Sequence, residues 1–178
     1  MKRILIAALA TMALPAIGAS AQSIAEKYGV NSTLGVAPKT QDFVTEAAQS
    51  DMLEIASSKL VADRHDDKDK SFADQMVTDH TQTSTELKGL VDGGKVKANL
   101  PTSMDKSHQA KLDDLNKLTG DDFRKKYDSM QVSAHKDAVS LFQRYAKSGD
   151  NADLKDWAGK TLPKLQEHLK MAEDLKNL

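Results

Sequence analysis

Apolar residues recur at steps of three and four along most of the chain, which is the spacing of amphipathic helices. The pattern predicts four long helices in an all-α protein. Their expected bounds are residues 40–63, capped by Thr40; from Asp67 or Asp69 to Gly93-Gly94; from Asp121 or Asp122 to about Lys147; and 151–178, capped by Asn151 and kinked at Pro163.

The connection between the second and third helices is long, at about 25–30 residues, whereas the other two turns are short. Short turns place consecutive helices side by side in antiparallel order. The long connection carries a predicted short helix over residues 103–118, which starts after Pro101 and is closed by Gly120. Residues 40–178 are therefore predicted to form a ferritin-like four-helix bundle with one long crossover that carries a short extra helix.

Residues 1–21 have the pattern of a secretory signal peptide. Two cations, Lys2 and Arg3, precede an apolar run over residues 4–14, and Ala19-Ser20-Ala21 provides the small residues of a cleavage site. A transmembrane anchor is the alternative, but the run is short for a bilayer. We expect cleavage after Ala21 and export, most simply to a periplasm, where the protein could be associated with the envelope.

An extended N-terminal arm is predicted over residues 22–39, because Gly, Asn, Ser and Pro are scattered there without a sustained period. Removing the signal peptide leaves 23 Lys and Arg against 26 Asp and Glu. This balance gives no reason to expect binding to nucleic acid or insertion of the mature protein into a membrane. The chain has no cysteine, which excludes disulfides, thiolate metal ligands and thiol nucleophiles.

Three of the five histidines and one glutamate lie on the apolar faces of four different predicted helices. Each lies roughly 18–28 Å along its helix from the nearest short turn, at 1.5 Å per residue. One metal-capable group per helix at a common level is the arrangement of bundle-core metal sites. The candidate metal ligands are Glu54, His80, His135 and His168.

Three imidazoles and one carboxylate suit Zn²⁺, Fe²⁺ or Cu²⁺ better than Ca²⁺ or Mg²⁺. A dinuclear iron centre would require Glu-x-x-His on two helices, and the residues three before the histidines are Val77, Val132 and Leu165. Ferroxidase or oxygenase chemistry at such a centre is therefore disfavoured. The acids beside two of the histidines, Asp79 and Glu167, are predicted to be solvated flanks rather than ligands.

The alternative is a metal-free network of hydrogen bonds among the buried histidines and glutamate. Nearby side chains could satisfy the rings, and the candidates are Thr83, Ser84, Gln131 and Thr161. The other two histidines, His65 and His108, lie in polar segments and are predicted to be solvated.

Several segments resemble one family of exported bacterial proteins. They include FVTEAAQSDMLEIASSKLVAD, SFADQMVTDHT, a Y-x₇-H spacing that ends at His135 and an LP-x₄-H spacing that ends at His168. Over residues 41–175 the chain resembles domain of unknown function family 4142, some members of which carry the label putative outer membrane protein. The resemblance implies a ferritin-like helical fold and recurring polar positions at Glu54, Asp79-His80, His135 and His168, but no established activity.

The sequence thus predicts an exported helical protein that binds one transition-metal ion mid-bundle, with a role in metal handling or envelope stress. The alternative is a metal-free structural or interaction protein of the envelope. A chaperone-like binder would need an apolar face beyond what packing of four helices requires, and none is evident. No catalytic motif indicates an enzyme, and neither a protein partner nor an oligomeric state is indicated.

Overall fold

The computed structural model describes residues 23, 26, 29–64 and 69–176 of the chain. The predicted signal peptide and His65 lie outside the described residues. The described part is all-helical, with six helices and no strand, and none of these helices has the length and apolar character needed to cross a membrane. In chain order the helices are α1 Val30–Leu34, α2 Thr40–Asp63, α3 Lys70–Asp92, α4 Lys106–Asn116, α5 Gly120–Ser148 and α6 Ala152–Lys176.

The long helices pack in two pairs, α2 with α3 and α5 with α6. The pairs meet where α2 contacts α5 and where α3 contacts α6, and α4 packs against both α2 and α5. Two separate clusters of buried apolar side chains fill the interior. In the first cluster Phe43 of α2 stacks on Tyr145, with ring centroids 4.2 Å apart. In the second cluster Phe72 packs edge-on against Tyr127, with ring centroids 6.2 Å apart.

A polar layer separates these two apolar clusters along every long helix. On α3, His80 lies between Met76 of the second cluster and Leu87 of the first, and on α6 His168 lies between Leu165 and Ala172. On α5 His135 lies between Val132 and Ala138, and on α2 Asp51 lies between Ala48 and Leu53, whereas Glu54 follows Leu53 of the second cluster. The predicted ligands therefore lie in mid-helix, in surroundings that exclude water from both sides.

The N-terminus of α2 differs from the prediction by one residue. Lys39 is the N-cap and Thr40 is the first helical residue, so the predicted cap at Thr40 was wrong. The backbone N–H and the hydroxyl of Thr40 both donate to Asp150 Oδ1, at 3.0 and 2.6 Å. A carboxylate from the turn between α5 and α6 thus accepts a backbone N–H at the start of α2, where the N–H groups have no partner within the helix.

The short helix α4, in the connection between α3 and α5, is shorter than predicted because Asp105 sets its start. The Asp105 carboxylate accepts the backbone N–H of His108 at 2.8 Å, as an N-cap does. Gly120, expected to close this helix, is instead the first residue of α5 and has φ 56°. The predicted cap of the last helix is confirmed, since Asn151 accepts the backbone N–H of Leu154 at 2.9 Å.

The connection between α3 and α5 is attached to α2 by a buried glutamine. Gln49 donates to the carbonyl of Ser103 at 3.0 Å and accepts the backbone N–H of Asp105 at 2.7 Å. Gln41 makes the same pair of bonds with the backbone of Asn99, at 2.9 Å each. The connection therefore follows α2 rather than projecting into solvent.

The N-terminal arm contains the short helix α1, which the sequence pattern did not predict. Gly29 and Gly35 flank this helix at φ 68° and 66°, a left-handed conformation that glycine adopts without strain. A buried ion pair holds the arm on α5: Arg144 Nη2 lies 2.8 Å from Glu26 Oε1, and both side chains are less than a tenth exposed.

Candidate metal centre

Three helices bring three buried imidazoles together. His80 of α3, His135 of α5 and His168 of α6 are 2, 1 and 1 % exposed, and each offers a ring nitrogen within 4.8 Å of the others. The ring centroids are 5.4 to 5.5 Å apart, so the rings form a nearly equilateral triangle. The three histidines could therefore hold a metal ion.

The closest pair of nitrogens already has the spacing of a metal site. His80 Nε2 lies 3.4 Å from His135 Nε2. In a tetrahedral zinc site with Zn–N bonds of about 2.0–2.1 Å, the ligand nitrogens are also about 3.4 Å apart. The separation of these two nitrogens is thus compatible with both binding one zinc-sized ion.

A buried aspartate fixes the orientation of His80. His80 Nδ1 lies 2.8 Å from Asp51 Oδ1, and Thr83 and Ser84 donate to Asp51 Oδ2 at 2.9 and 3.0 Å. Because both carboxylate oxygens are acceptors here, Nδ1 carries the proton and donates it. The lone pair of a neutral His80 then lies on Nε2, which faces the other rings.

His135 is oriented by its own helix. Its Nδ1 lies 2.9 Å from the carbonyl oxygen of Gln131, one turn earlier in α5. A carbonyl can only accept, so Nδ1–H must donate and Nε2 is left with the lone pair.

His168 is hydrogen-bonded through Nε2, whereas His80 and His135 are hydrogen-bonded through Nδ1. Its Nε2 lies 2.7 Å from Asp79 Oδ2, and its Nδ1 is buried with no hydrogen-bond partner among the described residues. The prediction that Asp79 is a solvated flank was therefore wrong, because α6 packs over it and its side chain is only 13 % exposed. Glu167, whose side chain is 62 % exposed, is solvated as predicted.

Glu54 of α2 is 1 % exposed, and neither of its carboxylate oxygens has a hydrogen-bond partner among the described residues. Burial raises the pKa of Glu54, and the nearby His80 and Gln131 only partly oppose this. The group of ligand atoms within 4.8 Å consists of the three histidines and does not include Glu54. Glu54 is thus a buried carboxylate near the rings, influenced by the Gln131 amide but without a well-formed hydrogen bond.

The pKa values of the three histidines separate in opposite directions. Burial lowers the pKa of His135 to about 4, and proximity to His80 acts in the same direction. Burial also lowers the pKa of His168 to about 4, against the effect of the hydrogen bond that its Nε2–H donates to Asp79. For His80 burial is outweighed by the bond to Asp51 and by nearby carboxylates, so its pKa is raised. His135 and His168 are thus neutral at neutral pH, and the neutral imidazole is the form that binds metals.

The remaining polar residues are arranged differently from the sequence-based expectation. Thr83 and Ser84 satisfy Asp51 rather than a ring, and Thr161 donates to the carbonyl of Trp157. His108 lies outside the cluster and is bonded to Asp105, at 2.9 Å.

Sequence reasoning missed Asp51, although the signal was present. Asp51 lies four residues after Ala47 and eight after Phe43, which puts it on the buried face that carries Glu54. The test that identified Glu54 would also have identified Asp51.

Comparison with known proteins supports the family resemblance. Residues 25–175 match the family model described as Domain of unknown function (DUF4142), and this span includes every residue of the candidate site. No significant match was found among curated proteins or among solved structures. Because the matched span covers most of the chain, the protein belongs to the DUF4142 family.

Proposed function

We propose that this protein is an exported ferritin-like four-helix bundle that binds one transition-metal ion through His80, His135 and His168. Glu54 is the fourth ligand. The role is metal handling or protection of the cell envelope against stress. The observation that carries the proposal is the convergence of three buried imidazoles, each with one nitrogen hydrogen-bonded to a carboxylate or carbonyl and the other free of such a bond.

A cation would satisfy the polar groups that the fold leaves without partners. His168 Nδ1 and both oxygens of Glu54 are buried with no donor among the described residues. Burying such groups unsatisfied costs free energy, of the order of 1–3 kcal/mol each and more for a charge. One ion between the rings and Glu54 would remove these costs together, which favours metal binding over an empty polar layer.

The donor set favours a borderline divalent ion. Imidazole nitrogens suit Zn²⁺, Fe²⁺ and Cu²⁺, and one carboxylate is compatible with all three. Each imidazole has the second hydrogen bond, to a carboxylate or carbonyl, that accompanies metal-ligating histidines. A single ion fits this arrangement, because no Glu-x-x-His pair is present to build a second metal position.

The arrangement of helices supports the bundle with one crossover. Two helix pairs pack against each other, and the connection that carries α4 follows α2, as a crossover along the length of a bundle would. An up-down-up-down bundle would not need such a connection.

Export is expected to be visible in the mature N-terminus. When the full chain is expressed in a Gram-negative host, the periplasmic fraction should contain protein that begins at Gln22. A variant with Ala19→Leu and Ala21→Leu should keep its first residues, because the small residues at the cleavage site are lost. Recovery of the native chain from the cytoplasm with Met1 intact would contradict export.

A metal-free network is the second candidate, and one contact favours it. The 3.4 Å approach of His80 Nε2 to His135 Nε2 can be a hydrogen bond if His80 carries two protons opposite Asp51. The raised pKa of His80 is consistent with that state. It would nevertheless leave Glu54 and His168 Nδ1 without donors.

Zinc titration of the mature protein separates the two candidates. Calorimetry should show one ion per chain, and zinc at about 100 times its Kd should add about 2.7 kcal/mol to the free energy of unfolding. That corresponds to a rise in Tm of roughly 5–10 °C for a protein of this size. His108→Ala is the matched control and should bind zinc as the wild type does. A Tm that does not change with zinc would favour the metal-free network.

A further inference from the structure

We infer that the site binds its ion through a mixed set of ring nitrogens, Nε2 of His80, Nε2 of His135 and Nδ1 of His168, and that Asp51 and Asp79 are the positioning residues that set this choice. The inference rests on the proposed function and specifies how the same site is built. Neither aspartate touches the centre, and each acts through the histidine that it holds.

Asp51 is a rigid support for His80. It is 6 % exposed, and three donors, from His80, Thr83 and Ser84, occupy its two oxygens. These bonds join α2 to α3 at the level of the centre. A carboxylate held in this way keeps the proton on His80 Nδ1 and the lone pair on Nε2.

Asp79 sets the opposite choice for His168. It follows directly before His80 in α3, so one helix supplies both a ligand and the residue that orients the ligand of α6. Gln75 donates to Asp79 Oδ2 at 2.7 Å, and the Lys164 ammonium lies 3.8 Å from the same oxygen. With Nε2–H of His168 committed to this carboxylate, only Nδ1 is free for an ion.

The alternative orientation of His168 would have two costs. A ring turned to present Nε2 to the centre would lose its 2.7 Å bond to Asp79. It would also leave a partly buried carboxylate with one donor fewer, since only Gln75 at 2.7 Å and the more distant Lys164 ammonium would remain. The packing of α3 against α6, which places Asp79 beside His168 Nε2, therefore leaves Nδ1 as the nitrogen that binds the ion.

Three variants test the role of Asp79 in zinc binding. Asp79→Ala removes the acceptor and should weaken zinc binding 10- to 100-fold, the usual effect of losing a residue that orients a ligand. Asp79→Asn retains an oxygen that can accept Nε2–H and should recover part of the loss. Glu167→Ala is the matched control, since it removes an exposed carboxylate that pairs with Lys164 rather than with the His168 ring, and it should stay within about twofold of the wild type.

Long-range ¹H–¹⁵N spectra of the zinc-loaded wild type give a readout that a purely structural role would not move. The His168 ring should show a protonated Nε2 and a zinc-bound Nδ1, whereas His80 and His135 should show the reverse. Zinc bound through Nε2 of His168, or wild-type affinity in Asp79→Ala, would overturn this inference and leave the metal site standing. A wild-type protein that binds no zinc would overturn both.

Discussion

Alanine at any one of His80, His135 or His168 is expected to lower the affinity for zinc by more than about 100-fold, because losing a ligand costs more than losing a residue that orients one. The three rings contribute equivalently to the triangle, with centroids 5.4 to 5.5 Å apart, so no single ring is dispensable. The remaining two nitrogens would have to share the ion with Glu54 alone. Titration calorimetry of the three variants measures the loss.

The control for these variants is His108→Ala, which removes a histidine of the same chain from outside the cluster. It should leave both stoichiometry and affinity unchanged. If His135→Ala kept wild-type affinity while His108→Ala lost it, zinc would bind at the surface near α4 and the proposed centre would be wrong.

His135→Gln and His80→Gln are expected to respond to pH in opposite directions in the metal-free protein. The pKa of His135 falls from 6.5 to about 4 on folding, chiefly because of burial. Between these values the unfolded chain binds a proton that the folded chain does not, so wild-type stability falls as the pH drops. At pH 4 this loss is about 3 kcal/mol. His135→Gln avoids it, so the penalty of the substitution should shrink by about that amount from pH 7 to pH 4.

His80 provides the matched comparison, since its pKa is raised on folding. A raised pKa stabilises the folded protein fully below pH 6.5, and this stabilisation is lost as the pH rises through the folded value. The penalty of His80→Gln should therefore grow as the pH falls towards 6.5 and stay constant below it. Urea unfolding in the presence of a chelator measures both series. Parallel curves for the two variants would show that the rings do not titrate separately as described.

The helical part of the fold could be read from the sequence because local rules determine it. The three-and-four spacing fixed which residues face inward on each long helix, and Asn151 was identified as a cap by the rule that governs helix N-termini. The same spacing put His80, His135 and His168 on buried faces. Their depth along each helix then placed them at one level.

The missed features depend on which helices are neighbours. Asp79 lies on the side of α3 that meets α6, and its bond to His168 follows from that contact rather than from any local pattern. The cap on Thr40 likewise comes from Asp150, 110 residues away in the chain. The short helix α1 is bounded by two glycines in left-handed conformation, in a segment whose scattered polar residues suggested an extended chain. Tertiary contacts and glycine conformation decided these three cases.

The position of the polar layer between two apolar clusters has a consequence for metal binding. Each cluster contributes large buried side chains on one side of the rings, among them Tyr145 and Phe43 in one and Tyr127 and Phe123 in the other. Such surroundings exclude water and fix ring positions, so that the proposed ligands would be arranged before an ion binds. Preorganisation of this kind raises affinity because little ordering is left to occur on binding.

The most direct test of the central claim is a crystal of the zinc-loaded mature protein measured at the zinc absorption edge. We expect one anomalous peak between α3, α5 and α6, about 2.0–2.1 Å from Nε2 of His80, Nε2 of His135 and Nδ1 of His168, with Glu54 as the fourth ligand. A loaded crystal with no peak between the three rings, or with zinc bound only at the surface, would contradict it.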